Sequence, residues 1–175
     1  MCLNLDVKIF LDIDGVIADF CRQAKDRGYF KSIQKGVRHS DPEMWEIINK
    51  DPCSFASTMN WEEHGEELYM FLINLSLQVI PITHCPNSSW KAGRFFWIGR
   101  NMPWCEPPIF VPMDSSKATF CLGKNTLLID DMQVNVDEWE AAGGTAILWD
   151  SEKPEESFAN LDLALANLTK NSESA

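Results

Sequence analysis

Two apolar runs that each end in acid constrain this chain more than any other feature. Val7-Lys8-Ile9-Phe10-Leu11 leads into Asp12-Ile13-Asp14-Gly15, and Thr126-Leu127-Leu128-Ile129 leads into Asp130-Asp131. Short β-prone runs closed by turn residues predict buried strands. In extended chain, residues i and i+2 face the same way, so Asp12 and Asp14 reach one locus while Ile13 points to the other face. Gly15 lets the chain turn sharply behind them.

The remaining pattern alternates. Gln78-Val79-Ile80-Pro81-Ile82, ending at Thr83, predicts a second strand, although Pro81 cannot donate to a central ladder. Ile109-Phe110-Val111 and Thr145-Ala146-Ile147-Leu148 predict two more. Helices are expected over Glu66 to Leu75, Ser88 to Gly99, Asn135 to Ala142 (closed by Gly143-Gly144) and Pro154 to Leu168. Asp41-Pro42-Glu43 before Met44, Trp45, Ile47 and Ile48 marks an N-capped helix in a region with no strong strand. Strands alternating with helices imply a parallel sheet covered on both faces. In such sheets the site lies beyond the carboxyl ends of the strands, where Asp12, Thr83 and Asp130-Asp131 are expected to converge.

Carboxylates crowded at one rim repel unless protonated or neutralised by a cation. Oxygen-only ligands suit Mg2+, which also binds substrate phosphate. A carboxylate beside a metal-bound phosphate is a feasible nucleophile, giving an acyl phosphate. An EF-hand is not expected, because no acidic twelfth ligand follows at the loop spacing.

Bulk properties narrow the partners. The 175 residues, 45% hydrophobic and 23% charged, suit one globular domain with a small inserted module. A net charge of −11 argues against a stable nucleic-acid partner. No run is apolar enough to span a bilayer, and Met1 to Lys8 lacks the pattern of a secretory leader, so a cytoplasmic setting is expected. The six cysteines form no CxxC pair and are expected to be free thiols. A homodimer is left open.

KIFLDIDGVIADF (Lys8 to Phe20) resembles the first motif of haloacid dehalogenase superfamily phosphatases. PITHCPN (Pro81 to Asn87) resembles their second, and LLIDD (Leu127 to Asp131) their fourth. NVDEWEAAGGTAILW (Asn135 to Trp149) resembles the segment that follows it. The Asp-Ile-Asp-Gly-Val-x-Ala-Asp-Phe form is most similar to the 5'(3')-deoxyribonucleotidases. So is a short helical cap directly after it, with an aromatic-bearing turn, here Phe55 to Leu68.

The resemblance implies an α/β, Rossmann-like three-layer sandwich with a parallel sheet in the order 3-2-1-4-5. Residues 1–19 and 67–168 would form the core, 20–66 a small helical cap inserted after strand 1, and 169–175 a flexible tail. Asp12 would be the nucleophile. Asp14 would protonate the leaving oxygen and then activate water, its backbone carbonyl binding Mg2+. Asp131 would be a direct metal ligand and Asp130 an outer-shell acid. Thr83 would hydrogen-bond the phosphate, with help from backbone N–H groups near Ile13 and His84. Lys117 is the choice for the lysine joining nucleophile and phosphate, with Lys124 in reserve. Phe20 would face the nucleobase, and ordinary core packing is an equal reading of it. His84 stands where family members often carry a small residue.

The implied reaction is hydrolysis of a small phosphate monoester, expected to be a (deoxy)nucleoside monophosphate. The alternatives are sugar phosphates, nucleic-acid ends, or an idle binding module of the same fold. Phe55 and Trp61 are weaker pocket candidates. Lys91 and Arg94 are expected at solvated helix positions, contact of either with phosphate being the lesser reading, and His39 and His64 carry no assignment.

Overall fold

The computed structural model describes residues 7–172. Five parallel strands form one sheet in the order β3-β2-β1-β4-β5. They are β1 (Lys8–Leu11), β2 (Gln78–Cys85), β3 (Ile109–Pro112), β4 (Thr126–Asp130) and β5 (Thr145–Leu148). The helices are α1 (Phe20–Asp26), α2 (Pro42–Lys50), α3 (Pro52–Ser57), α4 (Gly65–Asn74), α5 (Ser88–Asn101), α6 (Gln133–Ala141) and α7 (Pro154–Ser172). A 3-10 turn spans Lys117–Phe120.

Period-two alternation sorts the strand side chains into two cores. Ile9, Leu11, Val79, Leu127, Ile129 and Ile147 enter one cluster with Leu68 and Leu72 of α4, Trp97 and Ile98 of α5, and Leu161 and Leu165 of α7. Phe10, Ile82, Leu128 and Ala146 enter the other, under Val136 and Trp139 of α6. Phe10 and Trp139 meet there with ring centroids 4.8 Å apart.

Strand β2 runs two residues past the Thr83 end expected from sequence, to Cys85. It pairs with β1 through Gln78 to Pro81 and with β3 through Ile82 to Cys85. Pro81 therefore sits where the strand hands over from one neighbour to the other, which is how a central strand tolerates it. Helix α7 continues to Ser172, past the Thr169 at which the polar composition places the start of a tail. Polar side chains do not interrupt i→i−4 bonding, and the Thr169 hydroxyl donates to the Ala166 carbonyl at 2.7 Å. Residues 173–175 lie outside the described residues.

The segment between β1 and β2 forms the cap region, and its first three helices, α1 to α3, start on side-chain caps. Asp19 accepts from Arg22 N at 2.8 Å, Asp41 from Glu43 N at 2.9 Å, and Asp51 from Ser54 N at 3.0 Å. Pro42 and Pro52 occupy the first turns of α2 and α3. Helix α3 lies hard against α5, where a Cβ on Gly93 would fall 2.1 Å from the Cys53 carbonyl oxygen. That contact ties the cap to the core. Cys21, Cys53, Cys85, Cys105 and Cys121 are free thiols, and Cys2 lies outside the described residues. No helix among the described residues is long and apolar enough to cross a membrane.

Candidate active site

Register places the acids. Leu11 of β1 pairs with Ile129 of β4, so both strands end together and Asp12 follows beside Asp130. Asp12 N donates to the Ile129 carbonyl at 3.0 Å, which locks the two strand ends. Carboxylate oxygens of Asp12, Asp130 and Asp131 lie within 4.8 Å of one another. The Lys117 ammonium bridges two of them, 2.7 Å from Asp12 Oδ1 and 2.7 Å from Asp130 Oδ2. All three of these side chains are buried. Asp130 is engaged at both oxygens, since Oδ1 also accepts from Met132 N at 2.9 Å and from Asn135 Nδ2 at 2.9 Å.

The charges do not balance: three carboxylates face one ammonium. Burial pushes the Asp12 carboxyl well above its ordinary range, against the pull of Lys117 and with Asp130 and Asp131 adding to the rise. Burial also pushes Asp131 up to about 7, with Asp130 adding to it. For Lys117, burial acts to lower its pKa, but Asp12 and Asp130 together hold the ammonium above its ordinary range. Such a set takes up protons unless a cation replaces them. A close, oxygen-only donor set of this charge fits Mg2+. Gly15 belongs to the same fit. Its φ is +86°, and a Cβ there would lie 2.3 Å from Asp131 Oδ2.

Asp14 stands apart from the carboxylate cluster. Its Oδ1 pairs with the Arg94 guanidinium and its Oδ2 accepts from the Thr83 hydroxyl at 3.3 Å. Arg94 is fully buried, between the Trp90 and Trp97 rings at 5.7 Å each, so the expectation of a solvated helix position is wrong for it. The missed signal is periodic. Trp90, Arg94, Trp97 and Ile98 share one helical face, and an arginine on an apolar stripe needs a buried anion. Lys91 is exposed and rests over the Phe110 ring.

These groups open on a cleft of about 770 Å³, its mouth included. Asp12, Asp14, Phe20, Thr83, His84, Lys117 and Asp131 line it, while Asp130 lies behind Lys117. Lys124 is exposed and precedes β4, whose opposite end carries the acids. His84 Nε2 donates to the Ser115 carbonyl at 3.0 Å, and burial lowers the pKa of its ring. Phe55 and Trp61 do not line the cleft. Phe55 packs on Phe20 and Trp90, and Trp61 on Trp97 and Tyr69. Cys21 lines it, but burial pushes its thiol up to about 11, so little nucleophilic thiolate forms at neutral pH.

One cap loop completes the wall and carries residues that sequence reasoning missed. Lys35, Gly36, Arg38 and His39 all line the cleft. Gly36 N donates to Asp131 Oδ2 at 3.2 Å. Lys35 Nζ lies 3.0 Å from Glu62 Oε1 and donates to Ser151 Oγ at 2.9 Å. The His39 ring stacks on Phe20, with centroids 5.3 Å apart and planes 4° from parallel.

Among solved structures, a hydrolase from Streptococcus pneumoniae TIGR4 superposes with a TM-score of 0.57 at 12% identity, covering 91% of this chain and 97% of that one. At that identity the likeness is one of fold alone. A D,D-heptose 1,7-bisphosphate phosphatase from Burkholderia thailandensis (TM-score 0.48, 12% identity, 89% and 85% covered) is more distant. So is a phosphonoacetaldehyde hydrolase-like protein from Oleispira antarctica (TM-score 0.48, 12% identity, 97% and 87% covered). No protein-family model and no curated protein matches the chain.

Proposed function

We propose that this chain is a magnesium-dependent phosphomonoester hydrolase that works through an aspartyl-phosphate on Asp12 and accepts (deoxy)nucleoside monophosphates. The observation that carries the reading is the buried Asp12–Lys117–Asp130 bridge with Asp131 on the same rim. A structural ion pair does not need two carboxylates beyond the one that its ammonium neutralises, gathered beside a cleft.

Asp12, Asp131 and the Asp14 backbone carbonyl would hold Mg2+, which when bound offsets charge on the phosphoryl oxygens. Lys117 keeps Asp12 Oδ1 in place and supplies positive charge beside it. An Asp12 carboxylate oxygen attacks phosphorus, the bond from phosphorus to the ester oxygen breaks, and Asp14 delivers a proton to the departing oxygen. Arg94 holds Asp14 through Oδ1 at the cleft wall, which leaves Oδ2 to carry the proton for this transfer once Thr83 has turned to the phosphoryl group. Water then attacks phosphorus, Asp14 takes its proton, and Asp12 leaves as a free carboxylate with release of inorganic phosphate. With substrate bound, the Thr83 hydroxyl turns its one O–H from Asp14 Oδ2 to the phosphoryl group. Asp130, which lies behind Lys117 and is bonded at both oxygens, acts through Lys117.

The choice of a nucleoside monophosphate is supported by the aromatic residues Phe20, His39, Trp45 and Trp90 along the cleft. The deciding experiment is hydrolysis of an aryl phosphate, nucleoside monophosphates and sugar phosphates with Mg2+. Asp12→Asn should lower kcat by roughly a thousandfold or more while the fold is retained. A wild-type protein inert on every monoester would sink the hydrolase reading in favour of a binding module. A preference for sugar phosphates would remove only the nucleotide assignment.

A further inference from the structure

The cleft has two chemically distinct parts. One holds the acids and Lys117. The other is walled by the rings of Phe20, His39, Trp45 and Trp90. Most of that second wall offers a ligand only apolar faces. Trp45 Nε1 is already used, donating to the His39 carbonyl at 3.0 Å. Trp90 Nε1 is buried and has no partner among the described residues. The His39 imidazole is half-buried and stacked on Phe20, and its ring nitrogens make no hydrogen bond among the described residues.

The placement of His39 is built rather than incidental. Its backbone is pinned by Trp45, and three residues earlier the same loop is fastened to Asp131 through the Gly36 amide. Lys35 fastens it again to Glu62 and Ser151. Burial lowers the imidazole pKa, so the ring is neutral at pH 7 and offers one donor and one acceptor. A neutral imidazole stacked on Phe20 in the wall of the same cleft suits a flat ring with a mixed donor and acceptor edge.

We propose that His39 is the specificity-determining residue of this site, its free ring nitrogens reading the polar edge of a planar heteroaromatic ring carried on the phosphate monoester. The inference rests on the phosphohydrolase reading and adds to it a residue that carries no chemistry of its own. One hydrogen bond to the ring edge corresponds to a preference of up to about tenfold.

The test compares kcat/KM for nucleoside monophosphates with that for a ring-free alkyl phosphate, in wild type, H39A, H39F and H39Q. H39A should lower kcat/KM for the nucleotides by about tenfold, mainly through KM, and leave the alkyl phosphate within about twofold. H39F keeps the stack without the nitrogens, and H39Q keeps a donor and an acceptor without the ring. Each should show part of the loss, and together they serve should H39A fold poorly. Equal losses on both substrate types would overturn the inference. A gain on nucleotides would do so as well, because it would make His39 a plug over Phe20. A wild type that prefers the alkyl phosphate would refute the role of His39 and leave the hydrolase reading standing. A wild type inert on all monoesters would remove both.

Discussion

The acidic rim and the cap loop face each other across one cleft but are held by different physics. At the rim, Asp12 and Asp130 extend buried strands, adjacent strand ends are hydrogen-bonded, and Lys117 reaches them from a 3-10 turn whose only buried residue it is. The two strand ends that carry Asp12 and Asp130 do not shift without disturbing the sheet. The loop over residues 35–39 has largely exposed side chains and is fastened by a few polar contacts, Gly36 to Asp131, Lys35 to Glu62 and Ser151, and Trp45 to His39. The rim therefore suits chemistry, which needs fixed geometry, and the loop suits recognition and release, which need a surface with lower opening cost.

The largest effect should come from breaking the rim. Lys117→Met leaves Asp12 and Asp130 facing each other in a buried site without their ammonium. Roughly 3–5 kcal/mol of stability should be lost, together with activity. Denaturant midpoints would measure it, and an unchanged midpoint would mean that water or a proton replaces the lysine at no cost.

A smaller effect should appear as pH dependence without metal. The Asp131 carboxyl titrates near 7 in the fold, through burial first and then Asp130, against about 3.9 in an unfolded chain. Its folded pKa is raised, so the fold binds that proton more tightly. Stability from this group is present at acid pH and is lost as pH climbs from about 4 to 7. In EDTA the melting temperature should fall by roughly 5 °C across that window more in wild type than in Asp131→Asn, and Mg2+ should restore it near pH 7.5. Parallel pH profiles for the two proteins would show that the crowding at the rim is relieved in some other way.

The smallest effect belongs to the cap. Lys35 is one-third exposed, but its partner Glu62 is buried and Glu62 Oε2 has no partner among the described residues. Lys35→Ala should cost about 1 kcal/mol and raise KM severalfold with kcat less affected. A loss as large as that from Lys117→Met would erase the distinction between a rigid rim and a pliable loop.

Legibility followed the same division. The strands and helices of the core were readable because each buries a face with a regular period, and β5 matches its sequence reading residue for residue. Helix α6 begins two residues earlier than Asn135, a boundary that Met132 and Gln133 do not advertise because no side-chain cap marks it. Asp12 and Asp131 were readable because an acid directly after an apolar strand stands at the rim where a parallel sheet gathers its reactive groups. Arg94 was misread because its positive charge outweighed its place on an apolar stripe. His39 was silent, since a histidine in a polar loop carries no periodicity.

The amino-acid sequence by itself determined the alternating elements, the cap between the first two strands and the identity of the acids, because these rest on local period and on chain order. Tertiary structure alone decided which lysine bridges them, that Arg94 holds Asp14, and that His39 covers Phe20. Those are contacts between residues 13, 80 and 19 positions apart, set by how the layers and the cap loop dock. No local pattern encodes the distance between two side chains that only folding brings together.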